Sequence, residues 1–294
     1  MFEQLIDTFH NNLTYYYCFI AVLSLMIGSF LNVVIYRLPK MLEQNWYLEC
    51  REFLADEVKG APAKEITPLT LSKPNSSCPH CGHQIKFYEN IPVLSWLMLK
   101  GKCSQCKNPI SMRYPIIETA TAILSFVIAY QYGVTAQAGF LLILTWGLVA
   151  LTMIDFDTML LPDQITLPLV WLGLLINING VFIPLEQSVI GAAVGYMSLY
   201  TIFWVFKFIT GKEGMGYGDF KLVAVFGAWM GWQLLPLLIL MASLVGAIVG
   251  LSLMAFKGHQ REQAIPFGPY LAVAGWITLL WGEGIWQWYL GFIL

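Results

Sequence analysis

Six stretches of this chain carry no Asp, Glu, Lys or Arg: 8–36, 119–154, 164–185, 187–206, 222–256 and 263–282. A helix of about 20 apolar residues, rising ~1.5 Å each, crosses the ~30 Å hydrocarbon layer of a bilayer, so each stretch reads as membrane-embedded. The 119–154 and 222–256 runs are too long for one helix. Each contains a turn, from Gly133 to Gly139 in the first and from Gly231 to Pro236 in the second. The pattern predicts eight membrane helices, near 14–36, 114–131, 138–154, 165–183, 188–209, 220–235, 237–256 and 267–290. Charged residues make up only 12% of the 294, against about 25% in soluble domains, which excludes a soluble enzyme and a disordered chain.

The basic residues orient these helices. Eleven of the sixteen lie between Arg37 and Arg113, and the others are Lys207, Lys212, Lys221, Lys257 and Arg261. Lys and Arg are retained on the cytoplasmic side. Placing 37–113 inside puts the connections near 155–164, 207–221 and 257–266 inside as well, and both termini on the periplasmic side. The start of the chain does not read as a cleaved signal peptide, because Glu3 and Asp7 stand where positive charge belongs. Tyr15, Tyr16, Tyr17, Trp286, Trp288 and Tyr289 read as aromatics at the outer interface.

The expected fold is an all-α polytopic membrane protein with a small zinc-binding cytoplasmic insert. Its parts are a first transmembrane helix (1–36), a cytoplasmic zinc-binding domain (37–113) and a seven-helix membrane domain (114–294). Met41–Glu57 is a candidate amphipathic surface helix, and Gly60-Ala61-Pro62 and Pro68 to Pro74 read as linker. Beyond them stand Cys78-Pro-His-Cys81 and, after 21 intervening residues, Cys103-Ser-Gln-Cys106. Two CxxC knuckles at this separation are the ligand spacing of a tetrahedral Cys₄ zinc site. Four thiolates leave no open position, so the metal is structural, and its binding supplies folding energy to a segment with little core. Disulfides fit poorly with a reducing cytosol, and no βαβ pattern surrounds a redox pair. Cys18 and Cys50 read as inert.

Ionisable groups in or beside membrane helices are functional candidates. Asp155 and Asp157 end the third helix, Asp163 follows Pro162, Asp219 ends the run Gly214-Met-Gly-Tyr-Gly-Asp, and Glu118 lies one turn into the second helix. Asp155 and Asp219 fall at cytoplasmic helix ends. Two carboxylates that approach closely share one proton, and one then acts as base on water while the other acts as acid, the chemistry of an aspartic protease. Competing assignments are an N-cap for Asp163 or Asp219, an ion pair of Glu118 with Arg113 or another basic loop residue, a proton- or cation-coupled transporter using the edge carboxylates, and a zinc insert that serves only for docking.

Six motifs in order resemble the prepilin peptidase family, the GxGD-type leader peptidase/N-methyltransferases of type IV pili and type II secretion. They are Gly28 to Pro39, the double CxxC, Arg113-Tyr-Pro-Ile-Ile-Glu118, Ile154 to Asp163, Gly214 to Lys221, and Ile265-Pro-Phe-Gly-Pro-Tyr270. The resemblance implies that Asp155 and Asp219 are the catalytic pair. It implies cleavage of a basic leader from type 4 prepilins and pseudopilins at the inner face of the bacterial inner membrane. It also implies methylation of the new N-terminal residue from S-adenosylmethionine. The double CxxC is similar to that of zinc-binding members, so Cys78, Cys81, Cys103 and Cys106 are the expected ligands. No nucleic-acid partner is implied. Asp157, Asp163 and Glu213 are candidate attractors for the leader. No glycine-rich nucleotide loop marks a cofactor pocket.

Overall fold

The computed structural model describes residues 2–54, 69–257 and 265–293. The expected linker at Gly60-Ala61-Pro62, Pro68 and Arg261 lie outside the described residues. Among those described the chain is helical, without a β-strand. It divides into two compact units, Met1–Ala138 and Gly139–Leu294.

In the first unit α1 (Phe2–Asn11) leads into α2 (Leu13–Phe53). Asn12 caps α2 by accepting from the Thr14 and Tyr15 amides at 3.1 and 3.3 Å. At 41 residues, α2 is about 60 Å long, twice the thickness of the hydrocarbon layer. The expected stop at 36 and the separate surface helix expected from 41, whose residues 55–57 lie outside those described, give way to one continuous helix through Pro39 to Phe53. A single proline removes one amide from a helix but does not force a stop, and no glycine or turn cluster follows it before 53. The insert contributes the short α3 (Leu94–Met98), and α4 (Arg113–Tyr132) packs along α2. Gly28 makes the close approach, since a Cβ there would stand 2.7 Å from Glu118 Cα. The Tyr16 hydroxyl donates to the Gly133 carbonyl at 2.7 Å where α4 ends.

The second unit holds most of α5 (Ala136–Thr158), then α6 (Asp163–Ile176), α7 (Leu185–Thr210), α8 (Tyr217–Met230), α9 (Leu235–Lys257) and α10 (Gly268–Ile293). Its centre is α8. Apart from Lys221, every residue from Asp219 to Met230 is buried. Gly191 and Gly227 set α7 and α8 backbone to backbone, so that a Cβ on either would enter the carbonyl of the other. Such small-residue contacts are how membrane helices approach closely. At the C-terminal end of α8, the Ala228 carbonyl accepts from Ser188 Oγ at 2.6 Å and Asn177 Nδ2 at 3.0 Å. Trp229 Nε1 donates to the Leu169 carbonyl at 2.9 Å. Wrapped this way, α8 makes its polar contacts with protein.

Each of the eight expected helices has a counterpart. Among the described residues four of them, α2, α5, α7 and α9, are long and apolar enough to cross a membrane by length and composition. With 14 residues each, α6 and α8 are about 21 Å long, short of the ~30 Å a straight crossing needs.

Candidate functional site

Asp155 lies in the last turn of α5. The helix ends because Met159 adopts a left-handed conformation (φ +54°) and its amide bonds back to the Asp155 carbonyl at 2.8 Å. Pro162 follows and bars αR geometry at Leu161. The Asp155 side chain is 5% exposed. Its Oδ2 accepts the Gly268 amide, the first of α10, at 3.0 Å. A Cβ on Gly268 would lie 2.7 Å from the same oxygen, so any larger residue there must displace the carboxylate.

Asp219 stands in the first turn of α8 and is 6% exposed. Its Oδ2 accepts the Gly216 amide at 3.3 Å, reaching back over the helix start. The cap itself is Gly216, so Asp219 is the third helical residue and not the N-cap. Each acid therefore faces the positive end of a helix, where free amides and the macrodipole favour a carboxylate.

The two acids, 64 residues apart in the chain, share Leu161 as a neighbour of their glycine frames. Leu161 packs on both glycine frames: a Cβ on Gly218 would meet Leu161 Cβ at 2.7 Å, and one on Gly268 would meet Leu161 Cδ1 at 3.2 Å. The constellation is thus a pair of buried carboxylates, each with one backbone donor, beside the non-helical 159–162 segment.

The other acids separate from this pair. Asp163 is the first residue of α6, after its cap Pro162, so the N-cap expectation fails there too. Both its oxygens accept from Lys221 Nζ, at 2.6 and 2.8 Å. Glu213 pairs with Lys207 at 2.7 Å. A lysine thus already faces each of these two candidate leader attractors. Asp157 is exposed. Glu118 accepts the Val93 amide at 2.7 Å and is hydrogen-bonded by Ser29. Gly268 and Lys221 belong to the quoted motifs, yet sequence reasoning gave neither a role; the signal was a glycine two residues before a tyrosine and a lysine two residues after an acid.

In the first unit the four cysteines converge. Their sulfurs all lie within 4.8 Å of one another. Cys78 and Cys106 are 3.8 Å apart, and Cys81 and Cys103 are 4.0 Å apart. A tetrahedron with ~2.3 Å metal–sulfur bonds has edges of ~3.8 Å, whereas a disulfide closes to ~2.05 Å. The arrangement fits a metal ion. Local folding produces it twice. The Gly82 amide bonds back to the Cys78 carbonyl at 2.9 Å, and the Lys107 amide to the Cys103 carbonyl at 3.1 Å. Each turn closes with a left-handed residue, Gly82 at φ +71° and Lys107 at φ +61°. Isolated bridges Ser77 to Gln84 and Lys102 to Pro109 flank the two knuckles.

The knuckle amides favour thiolates. Those of Cys106 and Gln105 bring Cys103 down to about 6. The His83 amide pulls Cys81 the same way, but desolvation and the neighbouring thiols outweigh it and push Cys81 up to about 11. Four thiolates this close repel one another until a cation neutralises them. Nearby, Glu89 is held down to about 2 by the Lys86 amide, the Ser104 hydroxyl and His83. Cys18 and Cys50 are free and exposed.

Comparison with known proteins matches this division. The bacterial peptidase A24 N-terminal domain matches residues 22–132, and the type IV leader peptidase family matches residues 142–251. A prepilin leader peptidase/N-methyltransferase of Pseudomonas aeruginosa is 55% identical over 92% of this chain and 92% of its own length. Proteins of the same name from Aeromonas salmonicida (53% identical, 99% of each chain) and Legionella pneumophila (44%, 94% of this chain and 95% of the relative) are similar throughout. No solved structure matches. With such identity over nearly the full length, this chain belongs to the type IV leader peptidase family.

Proposed function

We propose that this chain is a bifunctional membrane enzyme. It cleaves the basic leader from type 4 prepilins and pseudopilins, then methylates the new N-terminus from S-adenosylmethionine. The peptidase half is supported by Asp155 and Asp219 each being buried, each accepting a backbone amide at a helix start, and each standing beside a glycine that Leu161 contacts. Two acids that approach closely hold one proton between them. The ionised partner takes a proton from water as the water oxygen attacks the scissile carbonyl. The protonated partner donates to the carbonyl oxygen, and the leaving amine then receives a proton as the C–N bond breaks. The pair titrates as a unit, so acid and base are roles of the dyad.

Cytoplasmic retention of Lys and Arg supports an orientation in which both termini are periplasmic and the dyad faces the cytosol. A prepilin with its apolar helix in the bilayer and its leader inside presents its scissile bond at that depth. Zinc is the metal that best suits four thiolates in a tetrahedron, and Cys78, Cys81, Cys103 and Cys106 are its proposed ligands. It would stabilise the insert structurally, with no open coordination site for chemistry.

The test is incubation of the purified chain with a prepilin and labelled S-adenosylmethionine, followed by mass analysis of the product's first residue. Asp155→Asn and Asp219→Asn should each abolish cleavage while leaving the protein folded. Cleavage by both variants would end the dyad assignment and return the carboxylates to a transport role.

A further inference from the structure

One face of the insert is built for a setting other than water. On α3 the residues Leu94, Leu97 and Met98 are 52%, 58% and 74% exposed and fall at i, i+3 and i+4, one side of the helix. Trp96 turns the other way, its Nε1 donating to the Ile110 carbonyl at 3.2 Å and its ring lying against Gly101. The apolar side of α3 therefore points out of the insert, and Phe87, shortly before it, is 87% exposed. Positive charge flanks this side. Between 69 and 112 stand five lysines and one acid, Glu89. That acid is taken by the His83 ring and the Lys86 amide, whereas Lys86, Lys100 and Lys102 are exposed.

The packing of α2 on α4 gives the depth of this helix. Gly28 meets Glu118 Cα, and Asn32 Nδ2 donates to the Tyr114 carbonyl at 3.3 Å, so four residues up one helix match four down the other. Gly28 stands nine residues before Arg37, the charge that ends the apolar run of α2, which places Glu118 about 13 Å on the membrane side of Arg37. From there the Glu118 carboxylate accepts the Val93 amide at 2.7 Å, one residue ahead of α3. Val93 has φ +59° and ψ −48°, and the Leu94 amide bonds across it to the Pro92 carbonyl at 2.5 Å. That is a γ-turn of the rare, strained kind. Beyond it the Ser95, Leu97 and Gly101 amides bond to the Ile91, Val93 and Trp96 carbonyls at 3.1, 3.0 and 2.9 Å. Non-helical backbone persists at membrane depth only where protein satisfies it, and around α3 protein does.

We propose that α3 is an interfacial helix: Leu94, Leu97 and Met98 enter the acyl chains of the leaflet on the insert's side, and Lys86, Lys100 and Lys102 hold its anionic headgroups. Apolar faces of this kind sink ~5–10 Å into the boundary between headgroups and acyl chains, and lysine stems reach back from there to the phosphates. The contact needs α2 and α4 in the bilayer and is independent of the reaction the chain catalyses.

The full-length chain with the photoreactive residue 4-benzoylphenylalanine in place of Leu97 is reconstituted into vesicles of equal parts phosphatidylcholine and phosphatidylglycerol, irradiated and weighed by mass spectrometry. Two further sites calibrate the label. Met26 is exposed within the apolar run of α2, and Asn45 is exposed eight residues beyond Arg37, about 12 Å on the water side. Lipid adducts at 97 should come within about twofold of those at 26 and exceed those at 45 at least about fivefold. The same label at Met98 tests the same face should the first variant fail to fold. Adducts at 97 and 98 no more frequent than at 45, or made chiefly to a second copy of the chain, would overturn the proposal. At 97 phosphatidylglycerol should be captured at least about threefold over phosphatidylcholine, and Lys100→Gln with Lys102→Gln should bring that preference toward equality. Equal capture in the chain with its lysines intact, or a preference that the double substitution leaves unchanged, would overturn the headgroup contact.

Discussion

Gly268→Ala is the sharpest probe of the dyad, because it leaves both aspartates in place. The added Cβ would lie 2.7 Å from Asp155 Oδ2, 3.2 Å from Asp155 Cγ and 3.2 Å from Leu161 Cδ1. Ordinary contact begins at 3.4 Å, so the carboxylate oxygen must retreat by about 0.7 Å or the start of α10 must move. At roughly a hundredfold in rate per ångström of misplacement, about 0.7 Å corresponds to ~25-fold, or ~2 kcal/mol of barrier. The loss belongs in kcat, since the substrate's apolar helix does not sense the change. Cleavage time courses over a range of prepilin concentrations separate kcat from KM, and thermal melting in detergent shows that the fold survives. Gly284→Ala is the control. It lies in the same helix with nothing within 4 Å of its Cβ, and it should leave the rate unchanged. If Gly268→Ala is folded and cleaves within about twofold of wild type, then Asp155 is not held at the reacting atoms and the dyad mechanism fails.

Further predictions concern the helix contact and the metal. Gly227→Ala drives a methyl group into the Gly191 carbonyl and should cost about 1–3 kcal/mol of stability. That amounts to a melting-temperature drop of several degrees, whereas Gly139→Ala, with open space around its Cβ, should leave the melting temperature in place. An equal response at the two sites would refute the backbone-to-backbone packing of α7 on α8. Stripping metal with a strong chelator should expose residues 78–107 to proteolysis while the helices of the second unit keep their circular dichroism, because the insert has little apolar core. Replacing the four cysteines by serine should do the same without chelator. Metal analysis showing less than one equivalent of zinc in the untreated chain would remove the cation from this account.

The helices were legible because charge cannot be hidden in a bilayer: the charge-free runs located every long helix. What sequence could not show was the status of each. The run over 222–256 breaks at Gly231, as its turn residues indicate. Nothing in it reveals that α8 is sheathed by protein while α9 is not, since a helix apolar all round reads alike against lipid and against protein. The end of α2 was misplaced for a related reason. Polar residues from Gln44 to Glu52 mark departure from the membrane, which need not coincide with the end of a helix.

At the site, the acids announced themselves by residue type, and their partners did not. Asp155 and Asp219 are costly where they stand, so chemistry alone singles them out. The Gly268 and Gly216 amides that hold them are backbone groups, and a sequence does not say where a backbone amide points. Glu118 shows the same asymmetry. Its charge invited a basic partner, Arg113 or another basic loop residue, and its carboxylate accepts the amide of a strained turn 25 residues upstream. A buried carboxylate needs donors, and any amide in reach meets that need as well as a guanidinium. Ion pairing inferred from charge alone therefore looks past the donor that every residue except proline carries, and the membrane, by removing water as the alternative, makes that donor the one that matters.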